Sequence, residues 1–272
     1  MIQRTFTYNY DNKNIDYSVW FTSDSESVDT VIFLGTVQID KIPEWVAEAC
    51  PPRTAIVQGS PHWHAKEDGS DLPEYMFGFS ESALRSIGTR YHFDSLNVIA
   101  ESQAVPTVIR LFVLDEFSSR LTRAVFLQPL GFNADIFAGS DQKRMAELKK
   151  RVAKNASHQL SSLLLDSRLR YNHRLLSKTV SFGDPKSKAQ YSSGLKYNSL
   201  PELNQLLQRG KKVTIICGAK DKIFPAEEIR QHLAATGIEL PVLEVKGAPH
   251  SPLATKLGMN LLKAALSELD SQ

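Results

Sequence analysis

No apolar stretch in the sequence approaches the roughly 20 residues a membrane-spanning helix needs, so no membrane span is expected. Cysteine is scarce: there are only two. Cys50 precedes Pro51-Pro52 and Cys217 sits inside the apolar run VTIIC, spacings that fit neither a metal motif nor a redox motif. Both are read as packing residues. The N-terminal stretch MIQRTFTYNYDNKNIDYSVWF alternates polar and apolar residues and lacks the continuous apolar core of a signal peptide, so the expected location is cytoplasmic. There is no repeat period and no extended low-complexity tract. His62 and His64 form an H-x-H with Glu67 and Asp68 nearby, but no third ligand stands at a recognisable metal spacing, and no metal or other cofactor is expected. Nothing resembles a nucleic-acid-binding module, and the net charge is only +2, so nucleic acid is not expected as a partner.

What is present is a soluble-globular composition over 272 residues, 42% hydrophobic and 23% charged, enough to bury a full core. TFTYNY and IDYSVWF alternate about a polar Asp11-Asn12-Lys13-Asn14, which predicts an opening β-hairpin. The runs VIFLG (31–35), TAIVQG (54–59), LNVIA (96–100), RAVFLQP (123–129), KKVTIICG (211–218) and LPVLEVKG (240–247) are apolar and rich in β-branched residues. Continuous apolar runs fit strands covered on both faces, as in a parallel sheet between helices. Helical patterns fall between them: IPEWVAEAC, SESALRSIGTRYHF, AVPTVIRLFVLDEFSSRL, PAEEIRQHLAATG and ATKLGMNLLKAALSEL. The alternation predicts an α/β fold with a mostly parallel central sheet flanked by helices.

Residues 139–210 break this rhythm. They lack a convincing strand, carry helical patterns, and end with the helix-like PELNQLLQRG. From Asp141 to Lys212 there are 16 Lys/Arg against 5 Asp/Glu, in a chain whose net charge is +2. The segment is read as a helical cap or lid inserted into a core formed by residues 1–138 and 211–272. Its basic excess is read either as solvated helix faces or as recognition of an anionic or carrier-bound small molecule. On the second reading the candidate contacts are Arg168, Arg170, Tyr171 and Arg174.

The candidate chemistry lies at the strand ends. Ser102 follows LNVIA and precedes AVPTVIRLFV, flanked two residues away by Ala100 and Ala104. Taken alone it is equally a helix-capping serine or a nucleophile on a tight turn. Asp221 stands in the loop after KKVTIICG, and His250 in the Gly/Pro-bounded loop after LPVLEVKG, both at the sheet edge where open α/β sheets bind ligands. A nucleophilic serine needs a base, a group to orient that base, and amide donors for an oxyanion. Asp115 and Glu116 also lie near the end of the helix after Ser102, about four turns away, and are read as solvent-facing. Glu101 projects sideways from the turn and is read as a solvent-facing or supporting residue.

These motifs resemble the α/β-hydrolase superfamily over nearly the whole chain. VIAESQA is similar to the small-x-Ser-x-small nucleophile elbow, GAKDKIFP to the acid loop after the seventh strand, and GAPHSP to the histidine loop after the eighth. VIFLGT looks like the third strand with its oxyanion turn. The resemblance implies the α/β-hydrolase fold with a cap after the sixth strand. It also implies Ser102 as nucleophile, His250 as base and then acid, Asp221 as the orienting carboxylate, and the amides of Thr36 and Gln103 as the oxyanion hole. Two departures stand out: Gly-x-Ser-x-Gly is here Ala-Glu-Ser-Gln-Ala, and the usual His-Gly of the oxyanion strand is Leu34-Gly35. His62, Trp63 and His64, in the loop after the fourth strand, are candidate substrate contacts. A serine at the elbow argues against epoxide and haloalkane substrates, because members of the superfamily acting on those use a carboxylate there. The expected activity is hydrolysis of an ester-like or other acyl bond of a small molecule. Thioester hydrolysis, acyl transfer and carbon-carbon cleavage are alternatives, and a non-catalytic ligand-binding protein is a further one. The sequence sets no oligomeric state.

Overall fold

The computed structural model describes residues 1–35, 41–59, 65–66, 70–93, 95–114, 116–132, 137–163, 192, 194–251, 253 and 258–270, with backbone alone for 114, 116 and 156–163. Eight strands form one sheet in the order β1-β2-β4-β3-β5-β6-β7-β8. The hairpin β1 (Ile2–Tyr10) and β2 (Lys13–Phe21) is antiparallel and joins the edge of β4 (Thr54–Val57). From β4 onward every pairing is parallel, through β3 (Thr30–Phe33), β5 (Leu96–Glu101), β6 (Leu121–Leu127), β7 (Lys212–Gly218) and β8 (Val242–Val245). The apolar runs therefore form strands, as their composition requires of a sheet covered on both faces.

Alternate residues of each strand feed two opposite cores. Val31 and Phe33 face one cluster with Ala100, Phe126 and Ile215, whereas Ile32 and Leu34 face the other with Ile99, Val125 and Ile216. Three helices cover the first face: α2 (Leu72–Gly88), α3 (Ala104–Leu114) and α5 (Leu200–Gln208). They are joined there by α6 (Ala226–Ala235). On the second face lie α1 (Glu44–Ala49) and α7 (Met259–Asp270), whose Leu261, Leu262, Ala265 and Leu266 form its apolar stripe. The remaining helix, α4 (Asp141–Leu163), adds Met145 and Leu148 to the first cluster. Among the described residues no helix is long and apolar enough to cross a membrane.

Two helix boundaries differ from the sequence patterns. α2 starts at Leu72, before the SESALRSIGTRYHF window, because Pro73 fits the first turn, where its missing N–H costs nothing. It ends at Gly88, short of the window's end. α3 stops at Leu114, and Glu116–Arg120 form a separate 3-10 turn, so Glu116 lies beyond the α-helix and Asp115 lies outside the described residues.

The order β4-β3-β5 reverses the direction of winding between β3 and β5. That reversal opens the crevice where doubly wound sheets accept ligands. At the far end of the site, the loop after β8 lies directly on the end of β7. A Cβ at Gly218 would overlap the Ala248 carbonyl oxygen and stand 2.8 Å from its carbon. Gly218→Ala must therefore push backbone away, and is expected to lower stability by about 1–3 kcal/mol in urea unfolding, the usual cost of overpacking.

Candidate active site

β5 ends on Glu101, and Ser102 then adopts φ +50°, a left-handed conformation that serine rarely occupies. The turn is held on three sides. The Ser102 N–H donates to Leu127 O (2.9 Å), and its carbonyl accepts from Val105 N (3.2 Å) and Leu130 N (3.3 Å). Ala100 and Ala104 are buried where strand and helix meet, so larger side chains would force them apart. The end of β3 closes from the side, and a Cβ on Gly35 would lie 3.5 Å from Ser102 Cβ. Leu34, where the resemblance expects a polar residue, is buried in the second core cluster, which explains its apolar identity. Gln103 opens the first turn of α3, and its backbone N–H has no acceptor among the described residues.

Asp221 is buried in the loop after β7. Its Oδ1 accepts from the N–H groups of Ile223 (2.7 Å) and Phe224 (2.8 Å). Its Oδ2 lies 2.8 Å from His250 Nδ1, close enough for the ring to donate from that nitrogen and leave Nε2 as an acceptor. Burial opposes a charged His250 imidazole, but the Asp221 carboxylate, with a smaller contribution from Glu101, outweighs it and raises the imidazole above its ordinary value. The Phe224 ring stands edge-on to the imidazole, 5.3 Å between centroids.

The loop carrying His250 is clamped by side chains that sequence reasoning missed. Gln128 donates to Pro249 O (2.9 Å) and accepts from Ser251 N (3.2 Å), bracketing the histidine. Asn155 of α4 donates to His250 O (3.0 Å) and accepts from His250 N (3.1 Å). Arg151, one turn earlier, donates to Ile223 O and to both carboxylate oxygens of Glu228, tying α4 to the loop of Asp221. No periodicity or motif marks these residues, because each acts on backbone far away in sequence.

Glu101 is not solvent-facing. It is 4% exposed, and its carboxylate accepts from Gly35 N (2.9 Å) and Leu253 N (2.8 Å), so the supporting half of the expectation stands. Beside Gln103 a shallow recess, with space inside it for no more than about a water molecule, lies between Leu72, Met76, Pro106, Thr107, Arg110 and Leu130. Of the expected site residues, the structure joins Asp221 to His250 and sets Ser102 and Gln103 at the same sheet edge. Thr36, His62, Trp63, His64, Arg168, Arg170, Tyr171 and Arg174 lie outside the described residues. Several described cations of the basic segment have structural partners. Arg144 binds Asp141, Ser192 and the Gly139 carbonyl, and Arg209 binds Val113 O.

No family model matches the sequence, and no curated protein matches it. Solved structures do. An α/β-hydrolase enzyme from a Medee basin deep-sea metagenome library is 13% identical, with 98% of each chain covered and a TM-score of 0.62. A bromoperoxidase from Bacillus anthracis is 15% identical over 98% of this chain and 100% of that one, with a TM-score of 0.60. An esterase from a Rhodococcus species is 13% identical over 100% and 99%, with a TM-score of 0.56. The fold is that of the α/β-hydrolase superfamily. In this fold Ser102 follows β5, Asp221 lies in the loop after β7 and His250 in the loop after β8.

The raised His250 value has a definite sign for stability. A protonated imidazole beside Asp221 contributes fully below the unfolded value of about 6.5, and the contribution is lost as pH rises through the folded value. The stability gap between the wild type and His250→Gln is therefore expected to be widest on the acid side of 6.5 and to narrow at higher pH. Urea unfolding at a series of pH values measures it, and a gap independent of pH would contradict the assigned shift.

Proposed function

We propose that the protein is a serine hydrolase that cleaves an ester-like or other acyl bond of a small molecule. The observation that carries this reading is the 2.8 Å Asp221–His250 bond at the edge where Ser102 turns with positive φ. In this reading Ser102 Oγ attacks the acyl carbon while His250 Nε2 takes its proton. Asp221 holds the ring in the tautomer that leaves Nε2 free, and the imidazolium then protonates the leaving group. Water deprotonated by the same histidine attacks the acyl-enzyme, the acid departs, and Ser102 regains its proton. The unengaged Gln103 N–H at the start of α3 would bind the oxyanion, with the Thr36 amide as its proposed companion.

Of residues 139–210, read from the sequence as a cap, α4 is assigned to the cap and docks against both the acid and histidine loops, whereas α5 covers the sheet with α2 and α3 and is assigned to the core. The buried, unpaired thiols of Cys50 and Cys217 fit the reducing cytoplasm assigned to the protein.

The reading is tested with a fluorophosphonate probe, which phosphonylates an activated serine and expels fluoride. The wild type should label, and both Ser102→Ala and His250→Ala should lose labelling by a factor of at least about 10³, as for other residues of a catalytic unit. Labelling that survives in Ser102→Ala would remove that serine from its role. A folded wild type that neither labels nor turns over p-nitrophenyl esters would favour a ligand-binding protein.

A further inference from the structure

Asn155 breaks the ordinary rules for a helix. Asparagine suits caps and turns, where its side chain bonds nearby backbone, yet this one stands well inside α4 and is 3% exposed. A buried amide needs hydrogen-bond partners to offset its lost hydration. Asn155 finds both on one distant residue: its Nδ2 donates to His250 O (3.0 Å) and its Oδ1 accepts from His250 N (3.1 Å). Glu147, Arg151 and Asn155 recur every four residues and so share a face of α4. Along that face Arg151 donates to Ile223 O (3.2 Å) in the Asp221 loop, to Glu228 (2.7 and 3.1 Å) and to Glu147 (2.8 Å). Rings extend the same contact. The Arg151 guanidinium lies 5.5 Å from the Phe137 ring centre, Phe137 meets Phe224 edge-on, and Phe224 meets His250 edge-on.

We propose that Asn155 is a positioning residue for His250, and that through it α4 belongs to the catalytic unit instead of merely covering it. The inference rests on the serine-hydrolase reading. Asp221 and Asn155 hold different parts of the same histidine. The 2.8 Å contact at Nδ1 orients the ring, whereas Asn155 fixes the peptide from which the side chain departs. A ring in the right tautomer on a loose peptide would still carry Nε2 away from the Ser102 hydroxyl. Gln128 secures the flanking residues through Pro249 O and Ser251 N, and Asn155 secures the N–H and carbonyl of His250 itself. Arg151 ties the same helix face to the loop of Asp221, so a single helix sets the acid loop and the histidine loop relative to each other. Proton transfer to and from Nε2 needs hydrogen-bond reach, and a misplacement of about 1 Å costs on the order of 10²-fold in rate. If Asn155 only satisfied two backbone groups, its loss would lower stability and leave the rate per folded molecule unchanged.

Asn155→Leu removes both bonds at similar size, and Asn155→Asp keeps an acceptor for His250 N while setting an oxygen against His250 O. Two readouts apply: the rate of fluorophosphonate labelling, with the extent at completion counting the folded sites, and the NMR resonances of the 15N-labelled His250 ring, which need no catalysis. Asn155→Leu is expected to fold, to label to the wild-type extent but about tenfold or more slowly, and to shift or broaden the His250 Nδ1–H resonance. Asn155→Asp, with one bond left, should fall between it and the wild type. A folded Asn155→Leu that labels within about twofold of the wild-type rate, or that leaves the His250 resonances unmoved, overturns the proposal. If the leucine variant does not fold, Asn155→Asp is read against the same two limits. Failure of both to fold makes Asn155 a structural residue and also overturns it. Failure of the serine-hydrolase reading looks different: the wild type never labels, or labelling survives Ser102→Ala, while the ring resonances still respond to Asn155.

Discussion

Position 218 has no room for a side chain, because the Ala248 carbonyl lies where a Cβ would stand. That close approach fixes where His250 can be. It lets Lys220 N donate to Ala248 O (2.8 Å), and it brings residues 249–251 within reach of Gln128 at the end of β6. His250 thus arrives opposite Asp221 through backbone contacts more than through its own burial. Asn155 completes the hold by occupying both backbone hydrogen-bonding groups of His250 from the side of α4. A loop with one such bond could swing, but a loop with its donors and acceptors engaged on three elements has its geometry set before any substrate arrives.

The charges follow the same logic. Both carboxylates near the histidine are held by backbone N–H groups: Ile223 and Phe224 for Asp221, Gly35 and Leu253 for Glu101. Neutral donors hold an anion in place without cancelling its field, so the field remains available to an imidazolium. Two of the described arginines show where such side chains are used instead. Arg123 donates to the carbonyls of Glu268 and Leu269 near the end of α7, and Arg151 joins α4 to Glu228. A guanidinium against Asp221 would compete for the carboxylate that His250 bonds.

Much of this was legible in the sequence, for physical reasons. A strand covered on both faces must be apolar throughout, so VIFLG, LNVIA and VTIIC declare themselves without homologues. A serine, an acid and a histidine in tight loops after three separate strands are hard to produce otherwise. β8 was harder to bound, because it is an edge strand and Leu243 is largely exposed. Glu101 was misjudged in part, since a glutamate is ordinarily solvated and nothing local announces two amides arriving from residues 35 and 253. Gln128 and Asn155 could not be read at all. Their partners are backbone groups more than 90 residues away, and a backbone group has no sequence identity to match.

The strain at Ser102 is not by itself a mark of chemistry. Gln128, at the end of the neighbouring strand, has φ +48°, nearly the same as Ser102, and carries no reacting group. Both turns do the same structural work. Ser102 N donates to Leu127 O on β6, Gln128 N donates to Ile216 O on β7, and Ala219 N continues the series to Val245 O on β8. Each parallel ladder is extended by one bond past its strand, and at β5 and β6 the chain reverses into left-handed backbone directly after it. Such a conformation costs about 1–3 kcal/mol and persists only where its surroundings determine it. Here the surroundings are those extra bonds and the buried alanines at 100 and 104. What separates the two turns is what faces them. Gln128 points its amide at the backbone around His250, whereas Ser102 stands between the end of β3 and the start of α3. In its proposed role Ser102 would take its chemistry from its neighbours, and its geometry follows the rule the sheet applies one strand over.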